Sequence, residues 1–319
     1  MNKRGSALAL GNAAVCIQML LLIGLCVTSC GSSLTSGDVT VKNEQELEAE
    51  WYYDHFDRAR KDAYDAFRRS AEDPFNDELT RILDSDGREE QIDTDELDSV
   101  YQGFLYDHPE LFWLDRSYRF RVAERGEKVT ADAVAVIPLY GSYEEIEESS
   151  ERFETAADDL LSSIDTPKSG VTDPGSLYDL LAAHAVYTEE AAYDPSLVSE
   201  HTAYGAIVGK RAVCDGYALA LKYLMGRCGI SCIVVPGTVD GAAHVWNTAF
   251  WDGAWHEMDI TWDASSGGGR QYFDLTTEEI KRDHQREDSL IGGMIPVSAR
   301  RDGNPFLNQF VHRQERKVS

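Results

Sequence analysis

The chain has 319 residues, 43% of them hydrophobic and 27% charged, the balance of a folded protein with one large or two modest domains rather than a disordered chain. Its 56 acidic residues against 30 basic ones give a formal net charge of −26. A surface this acidic repels nucleic acid and anionic lipid headgroups unless a basic patch intervenes. No such patch occurs: Lys3-Arg4 is only a pair, and Arg58, Arg60 and Lys61 are interleaved with Asp57 and Asp62. Nucleic acid is therefore not expected as a partner.

Residues 1–29 have the order of an export signal peptide: basic Lys3-Arg4, a mostly apolar run from Ala13 to Val27, then small residues before a cut. The run is broken by Gln18 and is shorter than the ~20 residues a bilayer span prefers. Val27-Thr28-Ser29-Cys30 resembles a bacterial lipobox, in which the cysteine is acylated and becomes the mature N-terminus. Cys30 is then the lipidation site, and the folded body lies outside the cytoplasm, anchored to the membrane at the bacterial cell surface or in the periplasm. Of the six cysteines, Cys16 and Cys26 fall in the leader and Cys30 carries lipid, so the body keeps Cys214, Cys228 and Cys232. An odd count in an exported protein points to a free thiol. Cys228 and Cys232 could close a small loop or sit as buried thiols, and either way Cys214 has no obvious partner.

Residues 30–43, rich in Ser, Thr and Gly after the lipidated cysteine, read as a flexible tether. From Glu44 to Arg69 the apolar set Tyr52, Phe56, Ala59, Ala63 and Phe67 recurs at helical spacing. A second helix is expected near Thr94–Tyr106, strands at Tyr118–Val122 and Val129–Tyr140, and an acidic helix at Glu144–Ile164. These make residues 44–165 a smaller α/β N-terminal region, of the α+β kind. Thr166–Gly175, with two Pro and two Gly, is the best boundary in the chain. Beyond it come a helix near Leu177–Thr188, a helix from Cys214 that stops at Gly229, and a strand at Ile230–Pro236. His244–Trp251, Asp252-Gly253 and Ala254–Ile260 give the strongest hairpin signal. A helix followed by antiparallel strands is an α+β domain; it is expected over residues 175–285, with 286–319 as a C-terminal tail.

The chemistry starts at Cys214. A helix N-terminus offers free N–H groups and a partial positive charge that favour a thiolate, Lys210 and Arg211 add to that field, and the same N–H groups can receive an oxyanion. Against this stands the ordinary reading of a single cysteine as buried and structural. If Asp252-Gly253 is a two-residue turn, facing residues have numbers that sum to 505. His244 then faces Thr261, Trp246 faces Asp259 and Thr248 faces Glu257, so His244 and Asp259 are diagonal neighbours on one face. Glu257 is one pair further off, and His256 has the opposite parity. That parity also argues against a metal shared by His244 and His256, and no second His stands at helical spacing. A thiol, a base and a carboxylate that orients the base are what thiol acyl transfer needs.

Gly209 to Asp263 resembles the transglutaminase-like superfamily in its bacterial form. The matching pieces are His201–Ile207, Ala212-Val-Cys-Asp-Gly-Tyr-Ala218, Ala243-His-Val-Trp-Asn247 and Asp252-Gly253 followed by Met258-Asp-Ile-Thr-Trp-Asp263, with Tyr272–Thr276 and Thr277–Ile280 as a flank. Asp107–Trp113 resembles the region joined ahead of such bacterial domains. The resemblance implies a papain-like core with the Cys helix packed on an antiparallel sheet, Cys214 as nucleophile, His244 as base and Asp259 as the orienting carboxylate. It implies a thioester formed from an amide, then resolved by water or an amine: a peptidase or isopeptide hydrolase, or an acyl transferase, acting on a protein or peptide such as a cell-wall peptide. Tyr204, Trp246 and Trp262 are the aromatic candidates for the substrate pocket, with the core as their alternative place. No calcium loop is present, so neither a metal nor a cofactor is expected. The competing reading is a noncatalytic binding or scaffold lipoprotein that uses the same cleft.

Overall fold

The computed structural model describes residues 8–12, 50–125, 128–164, 172–194 and 196–299. The expected apolar leader core, Cys30, the tether through residue 43 and the chain beyond 299 lie outside the described residues. None of the described helices is long and apolar enough to cross a membrane. The chain divides into two compact units, Met1–Asp158 with Ser289–Ile291 and Asp159–Asp288 with Gly292–Ser319.

In the first unit the strands are β1 (Leu8–Asn12), β2 (Thr80–Arg81), β3 (Ile92–Asp93), β4 (Leu114–Arg125) and β5 (Lys128–Pro138), and the helices are α1 (Trp51–His55), α2 (Arg58–Ala71), α3 (Thr94–Asp107) and α4 (Tyr143–Ser162). The sheet runs β1-β4-β5-β2, with β3 also on β5, and every pairing is antiparallel. The unit is α+β, as expected for residues 44–165: β4 and β5 pair antiparallel with only two residues between them, too few for the crossover that a parallel pair needs. β1 falls inside the stretch read as the leader. The single helix expected through Arg69 is two: the chain breaks at Phe56 and Asp57, and the Asp57 carboxylate caps α2 by accepting from the Arg60 N–H. Ala63, Tyr64, Phe67 and Ala71 of α2 face the core with Tyr101 and Phe104 of α3.

The second unit carries α5 (Pro174–His184), β6 (Val186–Tyr187), β7 (Arg211–Ala212), α6 (Cys214–Arg227), β8 (Ser231–Val239), β9 (Ala242–Trp251), β10 (Ala254–Met258), α7 (Ile260–Ser265), α8 (Thr277–Ile280) and β11 (His284–Arg286). Its four-stranded sheet has the order β10-β9-β8-β11, antiparallel throughout. α6 packs on β8 and β9, and its Tyr217, Leu221, Leu224 and Met225 are fully buried, the expected α+β arrangement of a Cys helix on an antiparallel sheet. The Asn247 side chain ties strand to helix by donating to the Ala218 carbonyl at 3.0 Å. β11 lies where a tail was expected to begin: Arg286 is part of the sheet, and Ser298 still hydrogen-bonds Thr277 at 2.8 Å.

Candidate active site

Three elements of the second unit build the site: the start of α6, the start of β9, and the junction of β10 with α7. Cys214 is the first residue of α6, preceded by extended Val213. The turn that delivers it needs Gly216, because a Cβ there would meet the Glu200 carbonyl oxygen at 2.4 Å. Backbone N–H groups of Val245 and Asp215 reach the Cys214 sulfur. Since Val245 follows His244 on β9, the thiol packs against the strand segment that carries the imidazole.

The hairpin register follows the expected sum through its whole paired length, from Ala254↔Trp251 to Met258↔Asn247. Asp252 and Gly253 both have positive φ, 51° and 76°, as a two-residue primed turn requires. The strand then stops at Met258, two residues short of the expected end, and Asp259 becomes the N-cap of α7. Its Oδ1 accepts from the backbone N–H groups of Thr261 (2.9 Å) and Trp262 (3.3 Å). That cap fixes the carboxylate, and the other oxygen, Oδ2, accepts from His244 Nε2 at 2.8 Å. The two residues that facing-pair arithmetic put on one face are thus in direct contact, through a helix cap rather than a strand pair.

A residue that the sequence reading passed over completes this cluster. His284 of β11 donates from Nε2 to the same Asp259 Oδ2 at 2.9 Å, and its Nδ1 lies 2.6 Å from Asp283 Oδ1. The signal that could have exposed it is Asp283-His284 standing shortly after the Thr277–Ile280 flank, yet a three-residue strand paired with β8 cannot be read from local pattern alone. His244, Asp259 and His284 offer three metal-ligand atoms within 4.8 Å of one another. Two nitrogens at 2.8 and 2.9 Å from one oxygen have hydrogen-bond spacing; ligands ~2.0–2.1 Å from one tetrahedral metal would stand about 3.3 Å apart. The cluster is an imidazole–carboxylate–imidazole array.

Charge balance differs across the site. Burial opposes ionisation of Asp259, but the hydrogen bonds and charges of His244 and His284 outweigh it and bring the carboxyl down to about 2. Burial likewise disfavours the charged form of His284, and the Asp259 and Asp283 carboxylates overcome that and raise its pKa. At Cys214 the balance is opposite to the sequence expectation. Burial first, then the Asp215 carboxylate, push the thiol well above its ordinary value, and the N–H groups of Val245 and Asp215 offset only part of this. Asp215 Oδ1 lies 3.8 Å from the sulfur. Its other oxygen meets His201 Nδ1 at 2.8 Å, while His201 Nε2 faces the Ala191 carbonyl at 3.0 Å.

The aromatic candidates separate. Trp246 is 1% exposed and its indole N–H donates to Glu257 Oε2 at 2.7 Å, so it stands in the core behind His244 and does not line an open pocket. Trp262 is half-buried and its ring centroid lies 5.5 Å from that of His284. Tyr204 is half-buried just ahead of the short π-helix Gly205–Gly209. Glu257, the poorer carboxylate candidate, is engaged by Trp246, Thr277 and Arg286. His256 points away, stacked on Trp251 at 3.8 Å and bonded to Asp274. Cys228 and Cys232 are free thiols, so the small loop between them is not closed by a disulfide.

No protein-family model matches the chain. It is similar to kyphoscoliosis peptidase from Mus musculus, 33% identical over 79 residues, a match that covers 21% of this chain and 11% of the mouse protein. The human kyphoscoliosis peptidase is 33% identical over 61 residues, covering 15% of this chain and 9% of that protein. The chain thus matches about a tenth of the length of these curated relatives. Among solved structures, the crystal structure of a TGase shares 15% identity at a TM-score of 0.31, over 44% of this chain and 43% of that one. A structure of menin that reveals its binding site for Mixed Lineage Leukemia (MLL) protein shares 14% at a TM-score of 0.29, over 44% of this chain and 30% of that one. Overlays at such scores argue nothing about fold, so the α+β assignment rests on the chain's own helices and antiparallel sheet.

Proposed function

We propose that the chain is a transglutaminase-like thiol enzyme that acts on amide bonds through a thioester at Cys214. The observation that carries this is the His244 Nε2–Asp259 Oδ2 contact at 2.8 Å beside a thiol at a helix N-terminus, the three groups that thiol acyl transfer requires. With Asp259 on Nε2, the neutral imidazole keeps its proton there and Nδ1 is left with a lone pair. The Cys214 thiol is held neutral by burial and by Asp215, so its proton passes to His244 Nδ1 as sulfur attacks the carbonyl carbon. The protonated His244 then returns the proton to the departing amine as the tetrahedral adduct collapses to the thioester. Water gives hydrolysis and an amine gives transfer; His244 takes the proton of either nucleophile, and the thiol is restored. The N–H groups at the start of α6 would receive the developing oxyanion.

Incubation of the purified protein with a peptide library, with and without a primary amine, tests this directly by mass spectrometry. The expected result is cleavage or amine incorporation that disappears in Cys214→Ala and His244→Ala; products unchanged in both variants would refute the reading. The location is part of the proposal: an exported protein lipidated at Cys30, with a protein or peptide of the cell envelope as substrate. The raised thiol pKa favours a noncatalytic binding lipoprotein, and the absence of any Cys214-dependent product would decide for it.

A further inference from the structure

We propose that His284 is a positioning residue of this site: its imidazole bridges the Asp259 and Asp283 carboxylates, donating at both nitrogens, and locks the oxygen that holds His244. The inference rests on the thiol-enzyme reading above and extends it by one residue that neither the hairpin nor the flank motif contains.

Three observations support it. First, both ring nitrogens meet carboxylate oxygens, Nε2 on Asp259 Oδ2 at 2.9 Å and Nδ1 on Asp283 Oδ1 at 2.6 Å. A carboxylate only accepts, so satisfying both contacts requires a proton on each nitrogen, an imidazolium. Second, the side chain of His284 has no exposed surface, so this charge is retained in the interior only because two anions flank it. Third, its ring is caged: centroids of Trp246, Tyr272 and Trp262 lie 5.0, 5.5 and 5.5 Å away. The backbone that carries it is anchored two residues on, where Arg286 binds buried Glu257.

The groups that face the imidazole are Asp259 at the α7 cap, Asp283 beside it in the chain, His244 of β9 with ring centroids 5.6 Å apart, and Tyr272, whose hydroxyl donates to Asp283 Oδ2 at 2.7 Å. Arg282 also acts on Asp283 through its charge. The consequence is directional. Asp259 Oδ2 lies between two Nε2 groups, so a fixed positive charge on one side keeps the carboxylate ionised and stationary for the other. His244 is then held with its proton on Nε2 and its base nitrogen bare. Without the bridge, Asp259 loses one of the two bonds on that oxygen, and the imidazole it orients gains the freedom to rotate and to exchange tautomers.

Nitrogen-15 NMR of the imidazoles, with the full-length protein and two variants, tests the inference. In the wild type the expected result is a His284 still doubly protonated at pH 7, above the ordinary imidazole value of 6.5, together with His244 as the Nε2–H tautomer. His284→Gln removes the charge; Asp283→Asn leaves the ring and Asp259 in place, so it remains informative if the first variant does not fold. Both are expected to return His244 to a tautomer mixture and to lower kcat 10–100-fold, the scale of lost supporting contacts, with KM little changed, on whichever peptide the library yields. A neutral His284 at pH 7, or variants that keep both the wild-type tautomer and the wild-type kcat, would overturn the bridge. A wild type with no Cys214-dependent turnover overturns the thiol-enzyme reading instead, while the NMR result still decides the bridge.

Discussion

Replacing Asp215 by Asn should make Cys214 more acidic. The carboxylate oxygen lies 3.8 Å from the sulfur, and a unit negative charge at that distance in a medium of effective dielectric ~20 opposes a thiolate by about 4 kcal/mol, or about 3 pK units. The Asp215 side chain is 16% exposed and its second oxygen is bonded to His201, so solvent and imidazole both reduce the effect. A downward shift of ~1–2 units remains. Asparagine keeps the shape and still offers His201 an acceptor oxygen, which separates charge from packing. The assay is the rate of Cys214 alkylation by iodoacetamide from pH 6 to 11, with Cys228 and Cys232 replaced by Ser to remove competing thiols. The wild-type midpoint should lie above that of free cysteine and the variant midpoint below the wild type. A midpoint that stays in place or rises would refute the account of Asp215, and would leave burial and the Asp259 charge as the source of the raised thiol pKa.

Acid should unfold the second unit through Asp259, which is fully buried. Its folded pKa is depressed to about 2 from 3.8, so it contributes about 2 kcal/mol above pH 4 that is lost as pH falls toward 2; melts of wild type and Asp259→Asn from pH 2 to 7 should converge at the acid end. His284, whose folded pKa is raised, contributes in the opposite sense: its share is complete below the unfolded value near 6.5 and fades as pH rises through the folded one. Gly237→Ala should destabilise by about 1–3 kcal/mol or more on the overpacking scale, since a Cβ would meet the Gln285 carbonyl oxygen at 2.3 Å and the Trp246 ring at 2.5 Å; a denaturant midpoint within error of wild type would contradict the close approach of β11 to β8. Cys30→Ser should release the protein from membranes or block its processing, read by fractionation, and unchanged membrane association would sink the lipid anchor.

How much was legible follows from the range of the interactions. The hairpin was readable because Asp252-Gly253 accepts positive φ and the alternation on both sides fixes parity; the register held from Ala254 to Met258. α6 was readable because apolar spacing begins at Cys214 and Gly229, with φ of 72°, ends the helix. The Asp259 contact was reached from a premise that holds only in part. Facing-pair arithmetic puts it on His244's face as a strand residue, whereas it lies past the strand's end at Met258, caps α7 and meets His244 at 2.8 Å. His284 was not readable, because a three-residue strand owes its place to β8, some 45 residues earlier in the chain by the Arg286↔Gly237 to His284↔Val239 register.

The sign of the thiol shift is also not legible in the sequence, and it bears on the proposed reaction. A helix N-terminus and two nearby bases are visible in the sequence, and all favour a thiolate. The partial burial of Cys214 and the Asp215 oxygen 3.8 Å from its sulfur are tertiary facts, and together they raise the thiol pKa despite the helix N-terminus. Both nearby basic residues are exposed, with Arg211 turned to Glu190 and Glu200, so their fields are spent on other carboxylates and on solvent. In the proposed reaction this disfavours a preformed thiolate–imidazolium pair, and the proton would leave sulfur during attack. That requirement places the burden on His244 holding one tautomer with its free nitrogen available. An oxygen of Asp259 fixed by a helix cap at one end of the carboxylate and by His284 at the other is what such a base needs.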